Sequence, residues 1–126
     1  THQHLDLFIN GEKVGIPANI GVGGTFIAPI HSHDDSGVIH IESPTVRVFT
    51  LGDFFSVWGI FLAKDCVGGY CVDENNSLRV YSNGEEYLGD PTKLELTEHQ
   101  EIAIVYGAKD SIEIDIPKEY QFGEGL

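Results

Sequence analysis

The stretch that decides the reading is Pro29-Ile30-His31-Ser32-His33-Asp34-Asp35-Ser36-Gly37-Val38-Ile39-His40-Ile41-Glu42-Ser43-Pro44. Two alternating arms, residues 30–33 and 38–42, flank Asp34-Asp35-Ser36-Gly37, where Asp caps its own backbone and Gly accepts a positive φ. Side chains alternate along a strand, so His31 and His33 share one face and Ile30 and Ser32 the other. On the return arm His40 and Glu42 oppose Ile39 and Ile41 in the same way. A four-residue loop pairs 33 with 38 and 31 with 40, which predicts all three histidines and Glu42 on one side. A three-residue loop would slip the register by one and mix isoleucines with histidines on both faces.

Three imidazoles on one patch of sheet point to metal, because the neutral ring offers a lone pair to a cation. Residues 2–9 alternate too, with His2, His4 and Asp6 on one face and Leu5, Leu7 and Ile9 on the other. The expectation is that this strand lies near the hairpin. Two or three of His31, His33 and His40, with His4 or His2, then hold a transition metal, and Asp34 or Glu42 fixes a ring tautomer from behind. Solvated histidines on an outward polar face are the alternative. Imidazoles beside a carboxylate suit copper(II) or zinc, whereas a chain without Met is poorly equipped for copper(I) or a blue-copper centre.

The chain has 126 residues, 41% of them apolar, enough for one β-rich domain over residues 1–126 with its own core. A formal net charge of −13 repels phosphate backbones and anionic lipid, which argues against nucleic acid as a partner. No apolar run approaches membrane-spanning length. No signal segment is visible before Thr1-His2-Gln3-His4, and the abrupt start reads as a processed N-terminus.

Cys66-Val67-Gly68-Gly69-Tyr70-Cys71 reads as a tight hairpin around its two glycines, with Val67 opposite Tyr70 and Cys66 opposite Cys71. The favoured reading is a cross-strand disulfide and an oxidising, extracytoplasmic setting. Free thiols or soft ligands at C-x4-C are the alternatives. Asn75-Asn76-Ser77 is a glycosylation sequon at Asn75. The adjoining acidic run Asp73-Glu74-Asn75-Asn76 lacks the pattern of a calcium loop and suggests at most a weak, shared calcium site.

Elsewhere, Asn10-Gly11 and Asn83-Gly84 mark two hairpins of similar sequence. Residues 25–33, 45–49, 60–64, 78–82, 85–88, 94–96, 101–106 and 111–116 read as further strands. The glycine-rich loop at 18–24 lacks the Lys-Ser/Thr and the helix of a phosphate cradle. One helix is predicted over residues 51–58, with Thr50 as N-cap, Asp53 three residues on and Gly59 as the stop. Leu51, Phe54, Phe55 and Trp58 form its apolar face. Together these predict an antiparallel β-sandwich or barrel of about nine short strands with one short helix.

The run His31-Ser32-His33-Asp34-Asp35-Ser36-Gly37-Val38-Ile39-His40-Ile41-Glu42-Ser43-Pro44, followed by Phe49-Thr50-Leu51-Gly52-Asp53-Phe54-Phe55-Ser56-Val57-Trp58-Gly59, resembles a family of small, uncharacterised exported archaeal and bacterial proteins. His2-x-His4-Leu5, Phe8-Ile9-Asn10-Gly11, Ile16-Pro17-Ala18-Asn19-Ile20-Gly21, Asp73-Glu74-Asn75 and the Asn83-Gly84 hairpin extend the resemblance over most of the chain. Members often carry further N-terminal histidines. The resemblance implies export, to the cell surface or beyond it, and a histidine cluster; it names no reaction.

Three functions follow from these readings. The first is an exported metal-binding domain, structural or metal-carrying. The second is a subunit of an extracellular filament or oligomer, whose strand 2–9 is exchanged with a neighbour and whose metal staples the copies together. The third is a metal-dependent enzyme with a three-His site. The cupin pattern departs from this chain, because eight residues separate His33 from Glu42. No nucleophile elbow surrounds Ser32 or Ser36. The pattern therefore favours binding over catalysis.

Overall fold

The computed structural model describes residues 1–110 and 114–126. The elements run β1 (His2–Ile9), β2 (Glu12–Val14), β3 (Ile30–His31), β4 (Val38–Ile41), α1 (Leu51–Trp58), β5 (Leu62–Ala63), β6 (Cys66–Val67), β7 (Tyr70–Cys71), β8 (Asn76–Ser82), β9 (Glu85–Tyr87) and β10 (Gln100–Ala108). A short 3-10 turn at Pro91–Lys93 precedes β10. The main sheet has the order β3-β4-β1-β10-β8-β9, with β2 added beside β1, and β5-β6-β7 form a small second sheet.

The chain is mainly β with one short helix, as expected, but the main sheet is mixed and open. β1 and β10 pair in parallel from Gln3↔Gln100 to Ile9↔Tyr106. Nearly a hundred residues separate these two strands in the chain, and no local turn encodes their pairing. The two Asn-Gly hairpins flank β10, β1–β2 on one side and β8–β9 on the other. In both turns Asn and Gly take positive φ, at 52° and 84° for Asn10-Gly11 and at 53° and 85° for Asn83-Gly84, as a two-residue turn matched to strand twist requires.

Several expected strands shrink or vanish. Residues 45–49 and 94–96 form no strand, although Thr50 and Glu95 make an isolated bridge. Of residues 25–33 only Ile30–His31 remains in a ladder, and of 60–64 only Leu62–Ala63. The expected strand at 111–116 falls partly outside the described residues; Ile114 to Ile116 carry no strand.

Helix α1 forms where its punctuation places it. Thr50 accepts from the Asp53 N–H and the Asp53 carboxylate accepts from the Thr50 N–H, a reciprocal capping box, and Gly59 ends the helix at φ 85°. Leu51, Phe54 and Phe55 are buried and join Leu5, Leu7, Ile39, Ile102, Ile104 and Tyr106 in one core against one face of the sheet. Trp58 packs on that core partly buried. The opposite face of the same strands carries His2, His4 and Asp6 of β1, His40 of β4, His31 of β3 and Glu101 of β10. This face bears the chemistry. It is crossed by the C-terminal segment, where Tyr120 stacks on the His4 ring and Phe122 on that of His99.

Cys66 and Cys71 pair across β6–β7 and are joined in a disulfide. The Tyr106 hydroxyl donates to the Cys71 carbonyl and ties this small sheet to the core.

Candidate metal centre

His31 and His40 face each other across β3–β4, and His2 faces His40 across β1–β4. Three histidines therefore lie in one row over three neighbouring strands. The expected pairing of His33 with Val38 does not form, because the chain leaves the ladder after His31. The buried Ser32 docks on the 17–20 loop instead: its N–H donates to the Ile20 carbonyl, its hydroxyl donates to the Pro17 carbonyl, and that hydroxyl accepts from the Ile20 N–H. This detour swings the exposed His33 back over the row. Its ring centroid lies 4.7 Å from that of His31 and 4.5 Å from that of His40.

The ligand geometry is specific. His31 Nδ1–H donates to the Ala28 carbonyl at 2.7 Å, which leaves the Nε2 lone pair of the neutral ring aimed at the cluster. His33 Nε2 stands 3.2 Å from His31 Nε2, and Glu42 Oε1 stands 3.5 Å from the same atom. Two imidazole nitrogens on one tetrahedral zinc, each 2.0–2.1 Å from the ion, are separated by about 3.3–3.4 Å. His31, His33 and Glu42 thus offer three ligand atoms, all within 4.8 Å of one another. His31 is buried, while His33 and Glu42 face solvent and leave the group accessible.

His40 lies inside the ring cluster, parallel to His31 at 5.6 Å and edge-on to His2 at 4.8 Å. Burial, reinforced by His33, His2 and His31, lowers its pKa to about 4, so at neutral pH the ring is uncharged. Burial and the N-terminal ammonium lower His2 as well, against the opposing pull of Glu98 and Glu42. Neutral rings are what a metal needs.

Of the other expected site residues, Asp34 does not sit behind a ring. It is exposed, and its Oδ1 accepts from the Ser36 N–H and hydroxyl, a turn cap. Glu42 lies at ligand distance, and the acceptor behind His31 is the Ala28 backbone carbonyl. His4 shares the face with the hairpin rings but belongs to a different group. Its Nε2–H donates to the Ser36 carbonyl at 2.7 Å, and its Nδ1 meets Glu101 Oε1 at 2.8 Å and Asp6 Oδ2 at 3.4 Å. Gly37 permits this closeness: it has φ +90°, and a Cβ there would lie 2.5 Å from the Leu5 carbonyl oxygen and 3.1 Å from His4 Nε2.

In this second group burial works against a charged His4, but the hydrogen bonds its ring donates to Asp6 and Glu101 outweigh it and raise the ring to about 9. Burial raises Glu101 to about 8, aided by the neighbouring Asp6. Burial also opposes the Asp6 charge, yet hydrogen bonds with His4, Glu101 and Lys13 hold that carboxyl well below the usual range. Glu101 is absent from the sequence-based site. The signal that could have found it is a single acidic residue heading an otherwise apolar strand, Glu101-Ile102-Ala103-Ile104-Val105-Tyr106.

Asn75 is exposed, in a turn whose Asp73 Oδ1 accepts from the Asn75 and Asn76 N–H groups. His99 takes φ 55° and its Nε2–H donates to the Leu126 carbonyl, apart from the hairpin rings. Among the described residues, no helix is long and apolar enough to cross a membrane. No protein-family model, curated protein or solved structure matches this chain.

Proposed function

We propose that this protein is an exported metal-binding domain whose hairpin histidines hold zinc or copper(II), in a structural or metal-carrying role. The observation that carries this reading is the 3.2 Å separation of the His31 and His33 Nε2 atoms, with Glu42 Oε1 beside them and His31 already oriented from behind by a backbone carbonyl. That acceptor is the outer partner metal-binding histidines commonly have. Two borderline imidazoles and one hard carboxylate suit zinc and copper(II) better than calcium, which takes six or more oxygens. A disulfide is at home in an oxidising compartment. With the resemblance of the 31–44 run to small exported prokaryotic proteins, it supports placement at the cell surface or outside it.

Isothermal titration of metal-free protein with Zn²⁺ and Cu²⁺, beside the His31→Ala/His33→Ala variant, tests the reading. A tight binding event seen in the parent and missing from the variant is the expected result. Equal binding by both proteins overturns it.

One feature favours a second reading, metal-stapled self-assembly. β3 is at the edge of the strand order, and the exposed His33 and Glu42 leave room for a ligand from another copy. β1 itself pairs with β4, β10 and β2 of its own chain. Light scattering with zinc and then with chelator decides: oligomers dispersed by chelator support stapling, and a monomer under both conditions rules it out.

A further inference from the structure

The His4–Asp6–Glu101 group is closed, whereas the hairpin cluster is open to solvent. His4, Asp6 and Glu101 are 2%, 4% and 1% exposed. Asp6 is ionised, with Lys13 Nζ 2.7 Å from its Oδ1, while burial keeps a proton on Glu101 at neutral pH. Glu101 faces His4, at 2.8 Å and 3.2 Å from Nδ1. His4 Nδ1 thus faces both buried carboxyl groups, Glu101 Oε1 at 2.8 Å and Asp6 Oδ2 at 3.4 Å.

We infer that His4 Nδ1, Asp6 Oδ2 and Glu101 form a second, enclosed site for a divalent first-row cation, separate from the hairpin group. Four observations on the molecule support it. The three ligand atoms lie within 4.8 Å of one another, with all three residues buried. Nε2–H is committed to the Ser36 carbonyl, so Nδ1 is the ring atom left to coordinate, and its tautomer is fixed by a backbone acceptor. The carboxylates come from neighbouring strands held in parallel register at His4↔Glu101, a rigid frame for ligands. The Lys13 side chain is 60% exposed and can swing outward when an ion takes over its charge role.

An enclosed site needs an entry path, and Tyr120 supplies one. Its ring lies flat on His4, with centroids 3.6 Å apart and planes 7° apart. The segment carrying it has no strand or helix of its own and is fastened by ring contacts of Tyr120 and Phe122 and by the hydrogen bond from His99 to the Leu126 carbonyl. Lifting Tyr120 uncovers the ring without breaking a ladder. One imidazole and two carboxylates suit zinc or manganese(II) better than copper(I). Loading displaces the protons held at His4 Nδ1 and on Glu101, and both go to solvent.

Zinc alone is the probe. The His31→Ala/His33→Ala chain, dialysed to equilibrium against Zn²⁺, is expected to retain one ion per chain, and wild type two. Adding Asp6→Asn should weaken the retained ion at least tenfold, and Tyr120→Ala should speed its uptake. Because Asp6→Asn also removes a buried partner of Lys13, anomalous diffraction from zinc-soaked wild-type crystals provides the second readout, with a peak expected beside His4 Nδ1. One ion in wild type, none in the His31→Ala/His33→Ala chain and no peak at His4 would overturn the enclosed site and leave the hairpin reading standing. One ion in each, with the peak at His4, would do the reverse.

Discussion

A cluster of histidines and a lone histidine between carboxyls lie on one face of one sheet, yet the structure treats them in opposite ways. At the hairpin, rings crowd against rings: His40 is pushed down to about 4, and His31 keeps a lone pair aimed at His33. On β1, a ring is clasped by carboxylates: His4 is raised to about 9 and both its nitrogens are engaged. The difference is neither residue type nor strand face. It is the neighbour that the pairing supplies, another imidazole across β3–β4 and a glutamate across β1–β10. A ring with its lone pair free can take a metal as it stands, whereas a ring that shares a proton must surrender it first.

The largest expected effect breaks this contrast through stability. Glu101→Ala strips the buried His4 of its main partner and should cost about 3–5 kcal/mol. Glu42→Ala removes an exposed carboxylate and should cost no more than about 1 kcal/mol. Urea denaturation of both metal-free variants measures the pair, and equal losses would contradict the distinction. Next is metal linkage. Free Zn²⁺ at a hundred times its dissociation constant should stabilise wild type by about 2.7 kcal/mol. The gain should fall sharply in His33→Ala, read as a smaller rise in melting temperature.

The two groups also respond to pH with opposite signs. His4 is raised from 6.5 to about 9, so its stabilisation is complete below pH 6.5 and is lost as pH rises through 9. Glu101 is raised from 4.5 to about 8, so its contribution is complete below pH 4.5 and is lost as pH rises through 8, since the unfolded chain releases that proton first. His40 is lowered from 6.5 to about 4; its contribution is present above pH 6.5 and is lost as pH falls through 4. Thermal melts across this range should show the alkaline limb flattened in Glu101→Gln and the acid limb flattened in His40→Asn. The smallest effect lies outside both groups. Reducing the Cys66–Cys71 bridge opens a very short loop and should cost at most about 2 kcal/mol in denaturant melts, with metal affinity unchanged.

What could be read from the sequence was local. The Asp34-Asp35-Ser36-Gly37 turn and strand alternation placed His31 opposite His40, and both Asn-Gly hairpins, the Thr50–Gly59 helix punctuation and the Cys66↔Cys71 register follow from neighbours a few residues apart. What was hidden is long-range. The parallel pairing of β1 with β10 has no turn to announce it, so Glu101 could not be seen as the partner of His4, and the chain suggested an antiparallel sheet. His4 looked like a hairpin ligand because it shares a face with His2, but a shared face does not fix which neighbouring strand supplies the contact. The detour of Ser32 onto the 17–20 loop was equally invisible, since it depends on a buried hydroxyl finding two backbone partners.

X-ray absorption at the zinc edge, on protein loaded with one equivalent of Zn²⁺, tests the central claim most directly. The expected result is a first shell of nitrogen and oxygen at about 2.0–2.2 Å, with outer scattering from two imidazoles that falls away in His31→Ala/His33→Ala. A shell of oxygen alone, or one unchanged by that double substitution, would contradict it.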